Sequence, residues 1–168
     1  MIRTIWIVVA IAISAAGAAH AQGWDLSRYS VEGRMSGYVF LGKQVRALQD
    51  DDFQNPGMFA VDRGRALWNT VDGEAGKSCA SCHGNAADSM AGVAARYPQF
   101  DADRGGIINL ELRINEQRVT HLMAAPLEYE SVDLLALTAY LANLSRGVPL
   151  GVNVEGDAAV FFEKGRAF

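Results

Sequence analysis

Cysteine is nearly absent from this chain: 168 residues hold only Cys79 and Cys82. A zinc site built on that pair would need two more soft ligands, and no cysteine remains to supply them. Histidine is almost as scarce, with His20, His83 and His121 alone. No serine–histidine–acid set, no pair of carboxylates at catalytic spacing and no phosphate-cradling glycine loop stands out. Basic residues are not in excess, since 15 Lys and Arg face 19 Asp and Glu for a formal charge of −4. Nothing in that balance favours nucleic acid as a partner. No segment alternates convincingly between apolar and polar residues as a strand would.

The two cysteines that are present stand in one pentapeptide, Cys79-Ala80-Ser81-Cys82-His83. C-x-x-C-H reads as a site of covalent haem c attachment. Two thiols three residues apart can each add to a haem vinyl group, and the adjacent imidazole then meets the iron as its proximal ligand. Cys79 and Cys82 are therefore the expected anchors, and His83 the expected iron ligand. A redox dithiol is the competing reading, but it usually opens a helix after a strand in an alternating β/α pattern. The approach here, Val61 to Trp68, reads as helix.

Arg3, an apolar run from Ile5 to about Ala19, and the small-x-small triplet Ala19-His20-Ala21 form a signal peptide over 1–21, cleaved before Gln22. The run is shorter than the roughly 20 residues of a spanning helix. Export to a bacterial periplasm follows, with no membrane contact after cleavage. Loss of Arg3 takes the charge from −4 to −5, because no acidic residue precedes Gln22. The half-apolar composition can build a sizeable core for one domain with extensions.

Residues 22–57 read as an N-terminal extension of loops with one short helix around Lys43 to Asp52. Its acidic cluster, Asp50-Asp51-Asp52, is read as a solvated helix end or turn. Asn55-Pro56-Gly57 is a turn signal, followed by a helix over Met58 to Asn69. A second helix is expected from about Ser131 to Leu144, where Leu134, Leu137, Leu141 and Leu144 form a stripe beside Tyr140. Ser131 and Asp133 suit its N-terminus. The fold class is all-α. Asp62-Arg63-Gly64-Arg65-Ala66-Leu67 is echoed by Glu163-Lys164-Gly165-Arg166-Ala167-Phe168, so residues 156–168 are expected to begin a second domain that the chain cuts short. Residues 58–146 then form the haem domain and 147–155 a linker in which Pro149 and Gly151 stop the preceding helix.

A helix before the haem motif and a leucine-rich helix near the end resemble the class I cytochrome c fold, with Gly64, Trp68 and Tyr140 as crossing residues. The likeness narrows along the chain. Tyr38, Gln49 to Phe53 with Asn55 to Met58, Asp62-Arg63-Gly64, Ser78 to Gly84 and Ser89-Met90 all look like SoxA. So do Gly92 to Pro98, Arg113-Ile114-Asn115, Glu130-Ser131, and Leu134 to Tyr140 with Ser145-Arg146-Gly147. The resemblance covers nearly all of the chain beyond the signal peptide, in order.

SoxA is the larger subunit of the SoxAX cytochrome of thiosulfate oxidation. The resemblance implies two cytochrome c domains, a SoxX-type monohaem partner subunit, and L-cysteine S-thiosulfotransferase activity that couples thiosulfate to a cysteine of a sulfur-carrier protein. The catalytic haem would lie in the second domain, with a modified cysteine as distal ligand, so no catalytic residue is expected in this sequence. One haem c is expected here and a second in a full-length protein. The alternative is a stand-alone periplasmic monohaem electron carrier.

The resemblance also places a cysteine distal ligand just after Arg-Ile-Asn, where this sequence has Gln117. An amide is a poor ligand for haem iron. His121 lies one helical turn further on and is the expected metal ligand opposite His83. Met123 and Met90 are thioether alternatives, Met58 is a weaker one, and a site without a protein ligand stays open. Arg96, Arg113, Arg118 and Arg146 could pair with haem propionates or thiosulfate, or serve as ordinary ion pairs.

Overall fold

The computed structural model describes residues 29–31 and 33–168. The expected signal peptide, its cleavage point before Gln22, and His20 lie outside the described residues. Two compact units divide the chain, Met1–Arg46 and Ala47–Phe168.

The first unit contains an antiparallel ribbon of β1 (Ser30–Val31) and β2 (Arg34–Met35). A single 3-10 turn follows at Gly37–Phe40, where the Ser36 hydroxyl accepts from the Tyr38 amide at 3.3 Å. The rings of Tyr29 and Tyr38 stack at 4.9 Å. The expected short helix is present as α1 (Lys43–Asp50), and the division between units falls inside it.

The second unit is mostly helical. Its elements are α2 (Met58–Asn69), α3 (Cys79–His83), α4 (Ala86–Ser89), β3 (Gln99–Asp101), β4 (Gly106–Ile108), α5 (Leu110–Gln117), α6 (Val132–Asn143) and α7 (Ala159–Ala167). A π-turn at Arg118–Leu122 continues α5. The two ribbons correct the strand-free reading of the sequence: β3 and β4 pair antiparallel, Gln99 with Ile108 and Asp101 with Gly106. Three residues are too few to display a period of two.

Helix α2 buries Val61, Gly64 and Trp68 at helical spacing, and α6 buries Leu134, Ala136, Leu137, Tyr140 and Leu141. A fully buried leucine is worth about 1.5–3 kcal/mol relative to exposure, so the stripe on α6 is a main source of stability. As expected, Ser131 caps α6, its hydroxyl accepting from the Leu134 amide at 3.4 Å. The helices cross at Gly64. A Cβ there would lie 2.0 Å from the Ala136 carbonyl oxygen and 2.7 Å from the Tyr140 Cβ, so only glycine permits this approach.

The acidic cluster is a turn, as read. The Asp51 carboxylate accepts from the Phe53 amide at 2.9 Å and the Gln54 side chain at 2.6 Å, and Asp52 pairs with Arg146 at 2.7 Å. Residues 148–155 hold no helix or strand, and the Gly151 amide donates to the Ala95 carbonyl at 2.9 Å. Phe161 of α7 meets Phe100 of β3 with ring centroids 6.0 Å apart. Among the described residues, no helix is long and apolar enough to cross a membrane.

Candidate functional site

The haem motif forms one helical turn whose geometry is set by a reciprocal cap. The Ser78 hydroxyl accepts from the Ser81 amide at 3.2 Å, and the Ser81 hydroxyl accepts from the Ser78 amide at 3.0 Å. In such a turn Cys79 and Cys82 lie on one face, with His83 following directly. Trp68 of α2 reaches the same turn: its Nε1–H donates to the Gly84 carbonyl at 3.0 Å, and its ring lies 5.7 Å from that of His83.

Cys79, Cys82 and His83 all line a cavity of about 520 Å³, within the usual range for small-molecule and cofactor sites. Its apolar walls include Trp68, Leu110, Ile114, Leu137 and Leu141, so both core helices contribute. Burial pushes the Cys79 thiol above its ordinary pKa. A second hollow of about 600 Å³, lined by residues including Arg96, Phe100, Glu155 and Asp157, contains neither thiol nor imidazole. The smaller cavity is the one with the chemistry.

The wall facing α6 is built from α5 and the π-turn. Gln117, Arg118, His121 and Leu122 all line the cavity, as does Met90. Met123 is 58% exposed, holds a left-handed backbone (φ 52°) and does not line the cavity. Met58 packs on the core, and its sulfur accepts from the Asn143 side chain at 3.8 Å. The sequence predicts regular helix over 117–121; the π-turn is the departure, and Gln117 and His121 still line the same cavity.

The four arginines separate. Arg146 pairs with Asp52 and does not line the cavity. Arg113 lines it but is engaged by Asp101 at 2.5 Å and by Glu116. Arg118 donates to Asp72 at 2.6 Å and to the Ala125 carbonyl at 3.2 Å. Its Nε is buried without a partner beside the cavity. Arg96 lines the cavity with no side-chain partner among the described residues. The residues therefore fit a covalently held porphyrin: two thiols, an imidazole, apolar faces, and guanidinium donors for its carboxylates. Among the described residues, no group of three or more His, Cys, Asp or Glu is placed to hold a metal ion directly.

Sequence reasoning missed the clamp that fixes this wall. The Asn115 side chain donates to the Leu127 carbonyl at 2.9 Å and accepts from the Leu127 amide at 2.8 Å. In the sequence, Asn115 stands out only as part of the Arg-Ile-Asn element.

Residues 63–150 match the family model described as SoxA/TsdA, cytochrome c domain. The chain belongs to the SoxA/TsdA cytochrome c family. It is 44% identical over 133 residues to the L-cysteine S-thiosulfotransferase subunit SoxA of Pseudaminobacter salicylatoxidans, covering 79% of this chain and 46% of that protein. The SoxA subunit of Rhodovulum sulfidophilum is 39% identical over 131 residues, covering 78% and 46%. The crystal structure of SoxXA from P. pantotrophus superposes with a TM-score of 0.73 at 34% identity, covering 79% of this chain and 50% of that one. The all-α cytochrome c fold expected from the sequence is thus borne out, as is the SoxA resemblance. A cytochrome c domain of the SoxA/TsdA family implies haem c. The chain spans about half the length of the curated relatives it matches.

Proposed function

We propose that this chain is the haem-bearing amino-terminal part of a SoxA subunit. Cys79 and Cys82 would hold one haem c through thioether bonds, and His83 would ligate its iron. The reading rests on one observation: both thiols and the imidazole line a single apolar cavity closed by α2 and α6. Arg118 and Arg96 supply cationic groups for the haem carboxylates.

Residues 58–146 serve as the haem domain, 147–155 as a linker and 156–168 as the start of a second cytochrome domain. A signal peptide over 1–21 directs the chain to the periplasm. In the complete protein, the SoxA subunit pairs with a SoxX-type monohaem cytochrome and acts as an L-cysteine S-thiosulfotransferase. The terminal sulfur of thiosulfate joins the cysteine sulfur of a carrier protein, the thiol proton is released, and two electrons pass to c-type haem. The names of the relatives support that activity, and the domain described here contributes electron storage and structure to it.

Two measurements test this. Pyridine haemochrome analysis of the exported chain is expected to give one covalent haem, lost in Cys79→Ala/Cys82→Ala; a haem-free wild type overturns the site. Product of the complete gene, purified with its small cytochrome partner, is expected to transfer thiosulfate to a carrier cysteine. Absence of that transfer, with haem intact, would leave only a simple electron carrier.

A further inference from the structure

We propose that His121, carried on the π-turn Arg118–Leu122, is the sixth ligand of the iron whose other axial position is filled by His83. The inference rests on the haem reading above and names a second iron ligand from the lining of the same cavity.

Outside the attachment motif, the side chains lining the cavity that could bind iron reduce to Met90, Tyr97 and His121. The first two are held in place by packing. Met90 packs against the buried cluster of Val61, Trp68 and Leu141. Tyr97 packs on the same cluster and is hydrogen-bonded with Arg113. His121 is exposed at the cavity wall and has no side-chain hydrogen bond or ion pair among the described residues. Among those residues no polar contact holds its imidazole elsewhere, and a neutral imidazole nitrogen is a good iron donor. Gln117, on the same wall, has only an amide to offer.

The backbone beneath His121 is unusual in a way that serves this role. π-turns are rare and are enriched at functional sites. This one is fixed from both sides. The Met123 amide closes it onto the Arg118 carbonyl, and the Leu122 and Met123 carbonyls accept from the Ala75 amide at 3.1 Å and the Glu74 amide at 3.3 Å. Asp72 adds its ion pair with Arg118. Residues 72–75 lead directly into the attachment motif. The turn that presents His121 is therefore tied to the loop that presents Cys79, and pre-positioning of this kind lowers the cost of completing a ligand set.

The test is low-temperature EPR with near-infrared magnetic circular dichroism on the exported ferric holoprotein, alongside its covalent haem count. Wild type is expected to show a fully low-spin, bis-imidazole iron. His121→Gly is expected to lose that signal to high spin and to recover it on adding free imidazole. Met90→Leu and Gln117→Leu should leave the wild-type signal in place. If His121→Gly does not accumulate, His121→Met serves instead, with the expected appearance of the methionine-to-iron charge-transfer band. A bis-imidazole signal that survives His121→Gly overturns the inference, as does low spin lost through Met90→Leu. Those outcomes leave the haem reading intact. A wild type without covalent haem at Cys79 and Cys82 removes the reading and the inference together.

Discussion

Trp68 and Gly84, sixteen residues apart, are joined by a 3.0 Å hydrogen bond from the indole nitrogen to the glycine carbonyl. The bond ties α2 to the end of the one-turn helix bearing Cys79, Cys82 and His83. Trp68→Phe keeps most of the buried ring and removes the donor. Chemical denaturation should show a loss of about 1 kcal/mol, the net worth of one such bond. A variant as stable as wild type would mean that water replaces the indole at no cost.

The crossing of α2 and α6 has no room for a methyl group at Gly64, where the obstacle is the Ala136 carbonyl rather than a flexible side chain. Gly64→Ala should cost about 3 kcal/mol, the upper end for overpacking. The check is a fall in the denaturation midpoint with an unchanged slope. Stability equal to wild type would show that the helices slide apart freely.

Asp72 titrates below the ordinary aspartate range because the Arg118 guanidinium, and then the Gly73 amide, donate to its carboxylate. A carboxylate with a lowered folded pKa stabilises the fold fully above its unfolded value, about 3.9, and that contribution fades as pH falls through the folded value. Asp72→Asn should therefore be less stable than wild type near neutrality, with the gap closing below about pH 4. Because Asp72 is half exposed, added salt should shrink the gap as well. A gap that widens on acidification would contradict the pairing.

Gln117 lines the cavity beside His121. Gln117→Cys offers the iron an anionic thiolate, which stabilises its ferric state, so redox titration should place the variant at a lower potential than wild type. A potential that does not move would mean that position 117 cannot reach the metal.

The parts of this molecule legible in its sequence are those coded by neighbours. The haem motif is five consecutive residues, and α2 and α6 announce themselves through Gly64, Trp68 and the leucine stripe at helical period. Gly64 shows the limit: a glycine inside a helix signals close approach, yet only the tertiary structure names Ala136 as the neighbour. The π-turn was not legible, because one extra residue per turn leaves no mark on propensity between Arg118 and Leu122. The Asn115–Leu127 clamp was hidden for another reason. Its partner is a backbone, so no second side-chain identity encodes it.

Gly73 sits at φ +69°, where a Cβ would lie 2.1 Å from the Leu122 carbonyl oxygen, so the loop entering the attachment motif lies flush against the turn bearing His121. The loop and the turn are therefore packed backbone to backbone. A haem held by the motif would meet, on that side, backbone braced by the Ala75–Leu122 and Glu74–Met123 hydrogen bonds. Preorganised surroundings cost little rearrangement when a charge changes, so a haem held there would be suited to giving and taking electrons.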